Sequence, residues 1–116
     1  MNPKCIFCQI IEKEIPSKIL FENEEFLAFK DIHPKAELHF LIIPKIHIAT
    51  LNDVELKQEN LLGKMLLLAP KLAKENGSID GFRSIINCGK IGLQEVYHLH
   101  MHVLGGQKPL GSFGFV

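Results

Sequence analysis

Along residues 97–106 apolar and polar positions alternate: Leu99, Met101 and Val103 take one parity, and His98, His100 and His102 take the other. Successive side chains on a strand point to opposite faces, so this stretch predicts a strand with imidazoles in a row above an apolar underside. In a helix the same spacing would scatter the rings around the axis. Residues 39–43 are almost continuously apolar and predict a central strand covered on both faces, closed by Pro44. Residues 18–21 and 26–30 read as strands joined by the polar run Glu22 to Glu25, a hairpin, and residues 82–87 as a further strand. From Asn52 or Asp53 the period becomes helical. Leu62, Met65, Leu66, Ala69, Leu72 and Ala73 recur at three- and four-residue spacing and predict one buried stripe. Asn52 with Glu55 resembles a capping box, Gly77 suits the C-terminal stop, and Pro70 should bend the helix from inside. Residues 5–12 read as a short helix or turn ended by Pro16. Strands with one long and one short helix give an α+β domain with a mostly antiparallel sheet.

At 116 residues the chain is expected to be a single domain over residues 1–116, with residues 107–116 as a glycine-containing tail that is either mobile or packed on a partner. Pro109, Phe113 and Phe115 are its notable residues. Thirteen basic residues balance thirteen acidic ones, so no electrostatic footprint for nucleic acid and no polybasic membrane patch is expected. Lys64 and Lys71 interrupt the longest leucine-rich run, which excludes a membrane span there. The start lacks an apolar signal core, which points to the cytoplasm, and three cysteines in a reducing compartment argue against a disulfide framework. Cys88 is expected to be a small buried residue.

Half of the six histidines fall within five residues. An isolated imidazole has a pKa of about 6.5, and each charged neighbour opposes further protonation, so a crowded row keeps at least one ring neutral near pH 7. A neutral ring is a metal ligand or a nucleophile, and the spacing alone leaves both open. Cys5 and Cys8 form a C-x-x-C pair, which reads as half of a zinc site, as unligated thiols or as a redox couple.

The row His98-x-His100-x-His102 followed by Val103-Leu104-Gly105-Gly106 resembles the signature of the histidine triad (HIT) family, in its branch of small nucleotide-binding proteins that includes the purine nucleoside phosphoramidases. Cys5-Ile6-Phe7-Cys8, Ala28 to Ile32, His39 to Lys45 with His47, Asn87 with Gly89, and Gln94-Glu95-Val96 support the resemblance in order and spacing. It implies a five-stranded antiparallel sheet paired across a homodimer, and a purine nucleotide as substrate. It implies His100 as the nucleophile that forms a nucleotidyl-histidine, with His98, His102 and His39 completing the catalytic set. Asp31 would take the ribose hydroxyls, and Ile10, Phe29, Ile32 and Leu41 would enclose the base. Asn87, Gln94 and Glu95 would border the phosphate and leaving group. Relatives that keep the C-x-x-C pair close a structural zinc site with residues matching His47 and His98, and no organic cofactor is implied. The activity implied first is hydrolysis of nucleoside 5′-phosphoramidates. Dinucleoside polyphosphate hydrolysis, nucleotidylyl transfer and a low-turnover zinc-stabilised nucleotide-binding module are the alternatives. Leu93 stands where many members have glycine, and Glu95 where some have a hydroxyl residue.

Overall fold

A computed structural model describes residues 4–112. Helix α1 (Ile6–Ile11) is followed by β1 (Ile19–Glu22), β2 (Phe26–Lys30) and β3 (Leu38–Pro44), then by α2 (Glu59–Glu75), β4 (Arg83–Ile85) and β5 (Met101–Gly105). The strands form one antiparallel sheet in the order β1-β2-β3-β5-β4. Asn23 makes the predicted hairpin turn by accepting the N–H groups of Glu25 and Phe26 on its Oδ1.

Every residue of β3 is buried, as its unbroken apolar run requires. Leu38, Phe40 and Ile42 face the larger core with Met101 and Val103 of β5 and with Met65, Ala69, Leu72 and Ala73 of α2. Leu41 and Ile43 face a smaller core with Phe7, Ile10 and Ile11 of α1 and with Leu27 and Phe29 of β2. A two-sided strand therefore puts His39, of odd parity, on the α1 side of the sheet. Leu99, Met101 and Val103 all enter the larger core, which leaves the histidine parity to the other side.

Several local expectations are corrected. The histidine strand begins only at Met101: the ladder with β3 stops at the Ile42–Met101 pair, although β3 runs on to Pro44 against β2. Before that point Leu99 donates its N–H to Ile48 at 2.6 Å, so His98 and His100 are held by the segment after β3. The long helix starts at Glu59 instead of 52 or 53. Two 3-10 turns come first, Leu51–Asp53 and Leu56–Gln58, with capping boxes between Thr50 and Asp53 and between Glu55 and Gln58. Glu55 thus belongs to the second box and Asn52 to neither, its N–H going to Thr50 Oγ1 at 3.1 Å. Leu66 is 54 % exposed, because the buried line runs through Met65, Ala69, Leu72 and Ala73 and Leu66 lies to one side of it. The helix continues through Pro70 to Glu75. Pro70 deprives the Leu66 carbonyl of an in-helix donor, on a side of the helix that water reaches. Gly77 (φ +99°) ends it as expected, with Ser78 N–H reaching back to the Ala73 carbonyl at 2.8 Å. Cys88 is half-buried instead of buried. In the tail, Gln107 N–H bonds Glu37 Oε1 at 2.8 Å and Pro109 is exposed, while Phe113 and Phe115 lie outside the described residues.

Candidate active site and metal centre

Two side-chain clusters meet at the segment His98–His102. In the first, Cys5, Cys8, His47 and His98 bring one donor atom each to within 4.8 Å of one another. Cys5 is the N-cap of α1, so the first helical turn carries Cys8 round to the same side as Cys5, and its Sγ accepts the Cys8 N–H at 3.3 Å. His98 spends its Nε2–H on the Pro44 carbonyl at 2.8 Å. Its Nδ1 therefore holds a lone pair, and it faces His47 Nδ1 at 3.1 Å, Cys5 Sγ at 3.4 Å and Cys8 Sγ at 3.7 Å. Cys8 Sγ is also 3.4 Å from His47 Nδ1. This group can hold a metal ion. Burial, and secondarily the charges of His47 and His100, push His98 down to about 4 against the rise from its Pro44 bond.

In the second cluster the proton positions follow from the hydrogen bonds. His100 is 5 % exposed and its Nδ1–H donates to the His98 carbonyl at 2.7 Å, which leaves the lone pair on Nε2. Lys35 donates its backbone N–H to His39 Nδ1 at 3.0 Å, so the His39 proton sits on Nε2. That proton is given to His102 Nδ1 at 2.9 Å, and His102 in turn keeps its own proton on Nε2 as a free donor. Asp31 Oδ2 stands 3.4 Å from His39 Nε2 and 4.0 Å from His102 Nδ1. Asp31, His39 and His102 are close enough to grip a cation, but a His39 ring that accepts a backbone N–H at one nitrogen needs its proton at the other. That trio is a hydrogen-bond chain and a poor metal site.

Burial is the main reason that the imidazoles of this second cluster stay neutral. It lowers His100, against the opposing pull of the His98 carbonyl, Asp31 and Glu95. It takes His102 to about 4, helped by His100 and His39, and it lowers His39 against the attraction of Asp31. A buried, neutral ring with a lone pair on Nε2, next to a second ring offering an Nε2–H, can attack an electrophile and donate to the oxygen that gains charge.

The other expected site residues divide. Ile10, Phe29 and Leu41 are packed in the smaller core, where Phe7 sets its ring edge against Phe29 and against His100 at centroid distances of 5.5 and 5.1 Å. Ile32 is 83 % exposed, and with Asp31, Pro16, Ser17, Lys18 and Lys30 it lines an open cavity of about 570 Å³. Asn87 is half-buried and Glu95 exposed. Gln94 is buried, its amide committed to the Ala49 and Val96 carbonyls and to Gly89 N–H at 2.8–2.9 Å. Leu93 occupies the left-handed region (φ +58°), the conformation for which a glycine is the usual choice. Sequence reasoning missed Phe7, although it lies inside the C-x-x-C block, and the backbone groups of Lys35 and Pro44, which no pattern marks.

The profile described as "Scavenger mRNA decapping enzyme C-term binding" matches residues 4–113. The purine nucleoside phosphoramidase of Escherichia coli K12 is 49 % identical over 112 residues, 96 % of this chain and 93 % of that protein. The HIT family hydrolase of Legionella pneumophila superimposes with a TM-score of 0.90 at 46 % identity, over 96 % of this chain and all of that one. The chain is a histidine triad protein. A zinc-bound histidine triad protein of Mycobacterium smegmatis superimposes with a TM-score of 0.78 at 30 % identity, over 97 % of this chain and 80 % of that one. Among the described residues of this triad protein, no helix is long and apolar enough to cross a membrane.

Proposed function

We propose that this histidine triad protein hydrolyses purine nucleoside 5′-phosphoramidates through a nucleotidyl-His100 intermediate. The observation that carries the reading is the bond from His100 Nδ1–H to the His98 carbonyl, which aims the free electron pair of Nε2 out of the ring's far side. That pair attacks the α-phosphorus, the bond from phosphorus to the amine breaks, and the amine departs with a proton from solvent. Because Nδ1 keeps its hydrogen, the nucleotidylated ring is a cation and a good leaving group. Water then displaces it, giving the nucleoside monophosphate and neutral His100. His102 Nε2–H donates to a non-bridging oxygen, His39 and Asp31 hold His102 in that tautomer, and Asn87 and Glu95 border the leaving group. From phosphorus the nucleotide runs past Asp31, the acceptor for the ribose hydroxyls, towards the cavity beside Ile32. The base lies against Ile32 and the edge of the Ile10, Phe29 and Leu41 cluster, with Gln94 bracing the loop opposite. The 49 % identity to a named purine nucleoside phosphoramidase supports this substrate class.

The metal of the first cluster is zinc in this reading. Two thiolates and two imidazoles are a suitable donor set, and Zn–S near 2.3 Å with Zn–N near 2.0–2.1 Å requires tetrahedral edges of about 3.3–3.8 Å. Four of the six donor separations lie at 3.1–3.7 Å, close to those edges, and all six lie within 4.8 Å. Zinc here would pin the N-terminal helix to the segment before β5 and take no part in the reaction. The protein acts as a cytoplasmic homodimer in the same reading. Leu66 and Leu67 on α2 and the outer edge of β4 supply an apolar helix face and an open sheet edge for the second copy.

Incubation with AMP and GMP amides, followed by mass spectrometry of the quenched protein, tests the reading. A mass increase of one nucleoside phosphate on the peptide carrying His100 is expected. Steady hydrolysis with no such adduct under rapid quench, and full activity of His100→Ala, would refute it.

A further inference from the structure

A second cavity, of about 390 Å³, lies where the segment after α2 meets the start of the tail, and no residue of either histidine cluster lines it. Its walls are fixed at both ends. Ser78 is 2 % exposed; its Oγ–H goes to the Gly81 carbonyl at 2.6 Å, and the same oxygen accepts the Gly106 N–H at 3.0 Å. A Cβ on Gly105 would collide with the Ser78 side chain, so the close approach of the two segments needs glycine there. Beyond it, Gln107 N–H is held by Glu37 Oε1 at 2.8 Å.

Arg83, the first residue of β4, lines this cavity. Its Nη1 is buried with no hydrogen-bond partner, and among the described residues no carboxylate forms an ion pair with its guanidinium. A buried N–H left unmatched costs its full desolvation, and more so when it carries charge. The other charged side chains of the lining are Asp80 and Lys108, both exposed, and neither forms an ion pair among the described residues. Together with Arg83 they leave the cavity one positive charge in excess. Phe82, Pro109 and Leu110 add apolar wall beside these charges.

We propose that this cavity binds a monocarboxylate with an apolar body: the Arg83 guanidinium takes the carboxylate, and the body lies along Phe82, Pro109 and Leu110. The inference goes beyond the nucleotide reading and does not depend on it. A planar carboxylate matches the fork of a guanidinium and gives the orphaned Nη1–H an acceptor. One negative charge also cancels the excess that Arg83, Lys108 and Asp80 leave. A phosphate approaching two charges overshoots that balance and meets the Asp80 carboxylate as a like charge. A concave, largely pre-formed site with apolar walls and few polar groups is the usual form of a small-molecule pocket.

The test follows backbone amide shifts of the full chain by NMR during millimolar titrations with benzoate, neutral benzamide and inorganic phosphate, above neutral pH. Benzoate should give saturable shifts centred on Gly81, Gly105, Gly106 and Lys108, benzamide none, and phosphate weaker ones. Arg83→Met should raise the benzoate dissociation constant at least about tenfold, because hydrogen bonds between charged groups are the strong ones. It should not lower the thermal midpoint, since an apolar chain replaces an unmatched buried charge. Asp80→Asn should bring phosphate binding up towards that of benzoate by removing the opposing charge. Equal benzoate binding by wild type and Arg83→Met, benzamide binding as well as benzoate, phosphate binding more tightly than benzoate, or no saturable shift at all would each overturn the proposal. So would weaker dimerisation of Arg83→Met in sedimentation with no benzoate binding to wild type. The guanidinium would then belong to a carboxylate of the second copy.

Discussion

His98 and His100 are two residues apart, share a parity and are both buried, yet their ring nitrogens are used in opposite ways. His98 gives its Nε2–H to the Pro44 carbonyl and turns Nδ1 towards two sulfurs and another imidazole. His100 gives its Nδ1–H to the carbonyl of His98 and keeps Nε2 free. One backbone carbonyl apiece decides which nitrogen keeps its lone pair, and so suits one ring to the proposed ligand role and the other to the proposed nucleophile role. The two clusters are also in series. His98, a member of the metal-capable group, supplies the carbonyl that orients the His100 ring, so one 2.7 Å bond links the two clusters.

The sharpest way to separate the regions is His100→Ala. Turnover of an AMP amide should fall by at least about 10³-fold while AMP still binds, because the variant loses the covalent route and little binding surface. Steady-state kinetics and calorimetric titration give both numbers. The opposite perturbation is the double variant Cys5→Ser, Cys8→Ser. Metal analysis should show zinc lost, and the thermal midpoint should drop by roughly 10 °C, since a structural ion contributes folding free energy directly. Activity should fall by no more than about tenfold. A loss as deep as that of His100→Ala would mean that the clusters are one unit.

Acid should weaken the second cluster without help from the metal. Burial and its histidine neighbours take His102 to about 4 in the folded chain, against 6.5 in the absence of those surroundings. The unfolded chain therefore binds more protons than the folded one between those values, and stability is lost as pH falls from 6.5 towards 4. In the Cys5→Ser, Cys8→Ser background, adding His102→Gln should remove roughly 2–3 kcal/mol of that fall, read from urea unfolding at pH 7 and 4.5. An unchanged pH slope would show that His102 is already solvated. The smallest effect belongs to the loop that Gln94 braces. Leu93 is 79 % exposed in a left-handed conformation, so Leu93→Gly relieves backbone strain at little cost in burial. It should raise stability by about 0.5–1 kcal/mol, a few degrees in the thermal midpoint, with no change in metal content.

Much of this was legible before any coordinates. Alternation at Leu99, Met101 and Val103 showed which side of the chain is apolar, and the unbroken run to Ile43 marked a strand buried on two faces. Cys5, Cys8, His47 and His98 could be grouped by resemblance, and they do converge. What local pattern misjudged has a common cause: it ranks neighbours along the chain and knows nothing of where a partner strand stops. The histidine strand is short because Leu99 gives its N–H to the Ile48 carbonyl beyond β3, Leu66 is exposed because the core admits only one line of α2, and Gln94 is spent on carbonyls contributed by Ala49 and Val96.

The sequence by itself determined the chemical inventory of this protein, its face-by-face apolar pattern and the family to which it belongs, because those depend on residue type and spacing. Only the tertiary structure decided the protonation pattern of the site. That pattern is written by the carbonyls of Pro44 and His98 and the N–H of Lys35, and every residue has such groups, so only the fold can say which of them meet a histidine.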